Sequence, residues 1–143
     1  MKKCKDVMTR DPECCLATDP VTKVAQLMKR EDVGSVPVVD QQNSKRLIGI
    51  VTDRDLVLNV LAEGTDYRGA IVQQAMSRNL VTCLGEDGLE HAMHLMSQHQ
   101  IRRIPVVDGE QRVMGIISQA DVATRVDEPE KTADILEDIS QPK

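Results

Sequence analysis

The chain is nearly free of aromatic side chains: it has one tyrosine, Tyr67, and neither phenylalanine nor tryptophan. Its core must therefore be built from Val, Ile, Leu, Met and Ala. Those side chains fill space but offer no ring on which a base could stack. Any nucleobase pocket here is expected to be an aliphatic sandwich. Positive charge is also short, with 18 Lys and Arg against 23 Asp and Glu, a formal net charge of -5. A nucleic-acid binder normally carries a basic excess, because phosphate neutralisation supplies most of its affinity. That class is set aside. No apolar run approaches the roughly 18 residues of a membrane helix. The start Met1-Lys2-Lys3-Cys4-Lys5-Asp6 is basic but leads into no apolar segment, so it does not read as a signal peptide. Together these gaps point to a cytoplasmic protein that engages neither nucleic acid nor membrane. The four cysteines, Cys4, Cys14, Cys15 and Cys83, form no Cys-x-x-Cys pair. In a reducing compartment they default to small, free, partly buried side chains.

What the chain does have is an internal repeat. Val7-Met8-Thr9-Arg10-Asp11 returns 68 residues later as Ala75-Met76-Ser77-Arg78-Asn79. Val36-Pro37-Val38-Val39-Asp40 returns at the same offset as Ile104-Pro105-Val106-Val107-Asp108. Ile48-Gly49-Ile50-Val51-Thr52-Asp53-Arg54-Asp55-Leu56 returns at an offset of 66 as Met114-Gly115-Ile116-Ile117-Ser118-Gln119-Ala120-Asp121-Val122. The two lost residues fall in a turn, where length is cheap. Cys15 and Cys83 are equivalent positions.

Each copy has the same expected order, β-α-β-β-α, in an α/β (α+β) chain. A short first turn carries Met8 or Met76, and a brief strand follows near Cys14 to Ala17 or Val81 to Leu84. Asp19-Pro20 has the form of a helix N-cap and first position. Val21, Val24, Ala25, Leu27 and Met28 recur at helical spacing, and Gly34 is expected to end that helix. Val36–Asp40 and Leu47–Val51 read as strands around a polar turn. A second helix runs from Thr52 through Leu56, Val57, Val60 and Leu61. The expected division is residues 1–62, a polar linker 63–70 with Gly64 and Gly69 as breaks, residues 71–126, and an acidic tail 127–143. In that tail Ile135, Leu136 and Ile139 make either one short amphipathic helix or a frayed end. One repeat alone leaves apolar surface uncovered, so two are expected to pack as a pseudo-two-fold pair.

The chemistry lies in the repeated Gly-h-h-Thr/Ser-x-x-Asp, where h is apolar. A strand ends, Thr52 or Ser118 takes the N-cap, and Asp55 or Asp121 follows three residues on. The plain reading is a capping box. Such a box prefers Glu or Gln at the third position, and the shorter Asp is expected to reach back less well. Both copies keep Asp. A helix start also offers unpaired N–H groups to a phosphate. A short carboxylate beside it can accept hydrogen bonds from both hydroxyls of a ribose.

The h-P-V-V-D and G-h-h-T/S-x-x-D motifs, each present twice at matched spacing, resemble the CBS motif over about residues 4 to 126. The layout is similar to that of small stand-alone bacterial CBS-pair proteins, including the hypoxic-response type. That resemblance implies a regulatory module, a homodimer, whose two clefts bind AMP, ADP, ATP or a related adenosyl ligand, with no cofactor required. It implies that each cleft mixes both copies. One would hold Ser118 and Asp121 facing Thr18, Pro20, Val33, Gly34 and Ser35. The other would hold Thr52, Arg54 and Asp55 facing Leu84, Ile101, Arg102 and Arg103. In the family a basic pair before the h-P-V strand reaches phosphate. Arg102-Arg103 fits that pattern, whereas the first copy has Gly34-Ser35. On this reading the Asp55 cleft takes more phosphate charge, and Arg103 could serve both.

Other residues invite weaker readings. His91 and His94, with Glu90 adjoining, sit at helical spacing but complete no metal set, and solvated helix surface accounts for them. Cys14-Cys15 suits strand packing better than a redox couple. Met93 and Met96 suit the core. An enzyme needs a nucleophile beside a base, paired carboxylates or a metal. Nothing places His99 near Ser118, so neither a catalytic nor a metal site is expected. The rival to a nucleotide sensor is a stress- or redox-responsive interaction protein with empty clefts, signalling through Cys14, Cys15 or Cys83 to an unknown regulated protein.

Overall fold

The computed structural model describes residues 2–125. The tail segment with Ile135, Leu136 and Ile139 lies outside them. In chain order the elements are α1 (Cys4–Val7), β1 (Thr9–Arg10), β2 (Cys15–Leu16), α2 (Val21–Glu31), β3 (Ser35–Val39), β4 (Leu47–Thr52) and α3 (Asp53–Leu56). There follow β5 (Cys83–Leu84), α4 (Leu89–His99), β6 (Arg103–Val107), β7 (Val113–Ser118) and α5 (Gln119–Arg125). The β-α-β-β-α order thus occurs twice. After α3 the chain continues as a π-helical turn over Val57–Leu61, where the sequence suggests a plain α-helix. A short 3-10 turn covers Val72–Gln74.

These elements form two compact units, one of Glu13–Leu80, the other joining Met1–Pro12 to the chain from Val81 onward. In the first unit β3 lies between β2, parallel to it, and β4, antiparallel to it. All five residues of β3, the central strand, are buried, while β4 alternates. Helix α2 buries Val21, Val24, Leu27 and Met28 as one stripe. With Cys15, Val36, Val38 and Val51 they form an aliphatic core. The second unit orders its strands β1-β7-β6-β5. Its core is richer in methionine, with Met93 and Met96 fully buried beside Ile104 and Ile117. Met fills irregular gaps where no ring is available.

Two helix boundaries differ from the sequence expectation. Pro20 itself is the N-cap residue of α2. Asp19 turns the other way, accepting a hydrogen bond from the Leu16 N–H at 2.9 Å. Asp87 repeats this with Leu84, also at 2.9 Å. The helix ends at Asp32, not Gly34: Asp32 adopts the left-handed conformation at φ 54 and donates its N–H to Met28. Gln100 ends α4 the same way at φ 52. The short polar side chain of Asp tolerates that region, so no glycine is required.

The leading segment of each repeat packs in the unit built from the other. Cys4 N–H donates to Asp87 O at 2.8 Å, and Lys5 N–H to Gly85 O at 3.0 Å. Their equivalents are Val72 N–H to Asp19 O and Gln73 N–H to Ala17 O, both at 2.9 Å. Beyond them β1 pairs with β7, placing Arg10 opposite Gly115, and Ser77 exchanges backbone bonds with Ile50. This crossing explains the motif glycines. A Cβ on Gly115 would lie 2.7 Å from Thr9 O, and one on Gly49 would lie 2.9 Å from Ser77 O. The backbone passes too close for any side chain.

Candidate functional site

Both Gly-h-h-Thr/Ser-x-x-Asp segments fold as expected, with β4 ending at Thr52 and β7 at Ser118, and a helix starting at the next residue. The capping box is closed in both. Thr52 Oγ1 accepts from the Asp55 N–H at 3.0 Å, and Asp55 Oδ2 accepts from the Thr52 N–H at 2.9 Å. Ser118 Oγ accepts from the Asp121 N–H at 3.1 Å, and Asp121 Oδ2 from the Ser118 N–H at 3.0 Å. Asp therefore does reach back, and the expectation that its shorter side chain would fail is corrected. The turn is tight enough that one methylene suffices.

Each box uses one carboxylate oxygen. Among the described residues nothing donates to Oδ1 of Asp55 or of Asp121. Both side chains are half-buried. Each turn thus presents a carboxylate oxygen whose partner oxygen is locked, so its direction is set before any ligand arrives.

The strand beside each turn brings the remaining predicted residues of that unit. Ser35 lies opposite Thr52 in the β3–β4 register, and the Asp53 N–H donates to Gly34 O at 2.9 Å. Arg103 lies opposite Ser118 in the β6–β7 register, and the Gln119 N–H donates to Arg102 O, again at 2.9 Å. The first unit therefore gathers Val33, Gly34, Ser35, Thr52, Arg54 and Asp55, and the second Ile101, Arg102, Arg103, Ser118 and Asp121. Val33 and Ile101 are half-buried, Thr18 and Pro20 are exposed on the β2–α2 turn, and Leu84 keeps 44% of its surface. An exposed leucine on the matching β5–α4 turn is the kind of aliphatic face an adenine ring without aromatic partners would need.

Sequence reasoning passed over two residues. Asp53 is exposed, and its Oδ2 stands 3.2 Å from where a Cβ on Gly34 would be. Gln119 takes the same place in the other turn, and its Oε1 is buried without a hydrogen-bond partner. Ser35 Oγ is likewise buried and unpartnered. A buried polar atom left unpaired costs about 1–3 kcal/mol, so these atoms mark the two turns as places where a polar group is missing. The signal in the sequence was the mismatch of Asp53 with Gln119 between otherwise parallel motifs. Among the described residues, Arg54, Arg102 and Arg103 enter no ion pair.

The other candidates separate cleanly. His91 and His94 are exposed, and His91 Nε2 lies 3.9 Å from Asp87 Oδ2. Among the described residues no group of three or more His, Cys, Asp or Glu converges as a metal site, and no helix is long and apolar enough to cross a membrane. All four cysteines are free and buried. Burial pushes the Cys14 thiol up to about 11 and the Cys15 thiol up to about 12. Cys4 Sγ donates to Gly88 O at 3.8 Å and Cys83 Sγ to Pro105 O at 3.9 Å, and the interaction between the two neighbouring thiols lowers Cys4 and raises Cys83.

Comparison with known proteins places this geometry. The CBS domain model matches residues 4–62 and 72–128. The chain belongs to the CBS domain family. Among CBS proteins it is 38% identical over 141 residues to the uncharacterized protein YlbB of Bacillus subtilis, covering 99% of this chain and 93% of that one. It is 30% identical over 128 residues to hypoxic response protein 1 of Mycobacterium tuberculosis, covering 90% and 87%. The crystal structure of Hypoxic Response Protein I, with two coordinated zinc ions, superposes with a TM-score of 0.79 at 30% identity over 87% of this chain and 99% of that one. Two further CBS structures carry adenosyl ligands. CBSX2 in complex with AMP matches with a TM-score of 0.73 at 27% identity, covering 86% of this chain and 94% of that one. The CBS domain pair of MJ0100, in complex with 5′-methylthioadenosine and S-adenosyl-L-methionine, matches with a TM-score of 0.73 at 26% identity and the same coverage.

Proposed function

We propose that this CBS pair is a regulatory sensor that binds an adenosine nucleotide (AMP, ADP or ATP) or a related adenosyl ligand and catalyses no reaction. It works in the cytoplasm as a homodimer and reports ligand level to a protein it regulates. Asp55 and Asp121 each hold a ribose through the carboxylate oxygen that the capping box leaves over. Thr52 and Ser118 keep those carboxylates in place. Arg102 and Arg103 supply positive charge for phosphate, Arg54 is the one cation of the Asp55 turn, and Val33, Leu84 and Ile101, with Thr18 and Pro20, supply aliphatic surface for the base. Gly34 and Ser35 let the backbone come close.

The observation that carries this reading is the split carboxylate. A cap alone also leaves one carboxylate oxygen over; what favours a ligand is that in both copies this oxygen sits in a turn that also holds a buried, unpartnered polar atom, Ser35 Oγ in one and Gln119 Oε1 in the other. The adenosyl ligands of CBSX2 and MJ0100 agree with it in class. The test is a thermal-shift panel of AMP, ADP, ATP and S-adenosylmethionine. A ligand that binds only the folded state stabilises by about 2.7 kcal/mol at a hundredfold excess over Kd, several degrees for a domain of this size. No shift with any of them at millimolar concentration contradicts the proposal.

A second reading, a redox-responsive interaction protein with empty clefts, draws on one observation, the neighbouring buried thiols Cys4 and Cys83, whose interaction lowers the first and raises the second. Cys14 and Cys15 support it poorly, because a thiol pushed up that far holds almost no thiolate at neutral pH. Running the same panel with and without reductant separates the two readings.

A further inference from the structure

The two turns share one backbone scaffold but carry opposite charge. In both, the residue after the Thr or Ser cap donates its N–H to the carbonyl two residues before the h-P-V strand's Val or Ile, at 2.9 Å in each case. In the second unit the groups on this scaffold are Arg102, Arg103, the neutral Gln119 and Asp121. In the first they are Gly34, Ser35, Asp53, Arg54 and Asp55. Counting formal charges, the second unit's set sums to +1 and the first unit's to -1. Asp53 is exposed, but its carboxylate is held over the turn. Its Oδ1 accepts from the Arg54 N–H at 2.8 Å, and its Oδ2 lies against Gly34, in the position that Arg102 occupies in the other copy.

We propose that the two half-sites select adenosyl ligands by the charge of the 5′ group, with Asp53 as the residue that excludes phosphate from its own half-site. The inference rests on Asp55 and Asp121 being ribose ligands. A 5′-phosphate is tied to its ribose by one carbon. A nucleotide held at Asp55 therefore keeps its phosphate within a Debye length of Asp53, about 8 Å at physiological ionic strength. At that range the like charges are poorly screened and repel. The Asp55 half-site takes an adenosyl compound whose 5′ group is uncharged or cationic. At Asp121 the neighbours are Arg102, Arg103 and Gln119, so phosphate is drawn in. The buried Ser35 Oγ offers the first half-site a neutral donor and acceptor in place of a cation. This reverses the sequence expectation that the Asp55 cleft takes the more highly charged ligand.

The experiment is equilibrium dialysis of the full chain against adenosine and against AMP, for the parent and for Asp53→Asn, Asp55→Ala and Asp121→Ala. The parent is expected to take up AMP at one site per chain. Asp121→Ala weakens that site at least tenfold, and Asp55→Ala leaves it. Adenosine binding is weakened by Asp55→Ala. Asp53→Asn strengthens the second AMP site about tenfold, raising uptake toward two per chain, and leaves the melting temperature within a degree or two. AMP uptake unchanged by Asp53→Asn, or AMP lost in Asp55→Ala and kept in Asp121→Ala, overturns the inference while ribose binding stands. If neither adenosine nor AMP binds the parent, the sensor reading itself falls, and the inference with it.

Discussion

On the proposed reading Asp55 and Asp121 each divide their two oxygens between the backbone and a ligand, and this division can be tested one atom at a time. Truncation to Ala removes both roles. Losing the cap costs about 1 kcal/mol of stability. Losing hydrogen bonds from a charged acceptor, at about 1.5–3 kcal/mol each, costs roughly tenfold to a few hundredfold in affinity. Asp55→Glu separates them. Glu is the residue the capping box prefers, so the melting temperature should hold while the second oxygen is displaced and affinity for adenosine falls at least tenfold by calorimetry. If Asp55→Glu binds as tightly as the parent, and Asp55→Ala merely melts earlier, the carboxylates are caps alone. The thiols make a second residue-scale prediction. Cys14 and Cys15, pushed up to about 11 and about 12 by burial, should resist alkylation by iodoacetamide at pH 8 in the native protein and react once it is unfolded. Fast native labelling of either would contradict their buried placement.

At the scale of elements, the strands and helices were legible because their signals are local. The stripe Val21, Val24, Leu27 and Met28 has helical period, and Val36–Val39 is too apolar for an edge strand. The ends were less legible. Asp32 and Gln100 stop their helices in the left-handed region without glycine, and a sequence gives no sign of which polar residue will accept that conformation. The exchange of leading segments was not legible at all. A short stretch such as Lys3–Arg10 shows that it will be partly buried, but its partners, Gly85, Asp87 and β7, lie 80 or more residues further along the chain. Two predictions belong here. Gly115→Ala places a methyl against Thr9 O and should cost about 1–3 kcal/mol through overpacking, seen as earlier melting and faster amide exchange in Lys3–Arg10. Unchanged exchange there would contradict the crossing. Glu86, bonded by Lys3 and Lys5, is held down to about 2. A carboxylate with a lowered pKa adds stability that is full above its ordinary value near 4.5 and is lost as pH falls toward 2. Acidification through that window should loosen the leading segment in the parent, while Glu86→Gln flattens the response. An identical acid profile in the variant would show that the pair contributes nothing.

For the whole molecule, the near absence of aromatic residues and the lack of basic excess define what the CBS pair can recognise. It cannot stack a base on a ring, and its net charge of -5 repels polyanions. What it can do is hold a small ligand by a few directed polar atoms against aliphatic walls. Those atoms are the spare oxygens of Asp55 and Asp121, the arginines beside Ser118, and the unpaired Ser35 and Gln119 atoms. The repeat made the carboxylates visible from sequence, because a feature that recurs at matched spacing stands out from a single cap. The unpaired atoms became visible only once the strand register put Ser35 opposite Thr52 and Arg103 opposite Ser118. The central claim proposed for this CBS pair is that it binds adenosyl ligands through those two carboxylates. Its most direct test is titration calorimetry of AMP into the full chain and into the Asp55→Ala/Asp121→Ala double variant. The account predicts saturable binding with Kd below a millimolar in the parent and a loss of at least tenfold in the folded variant. Saturation of equal strength in both would contradict it.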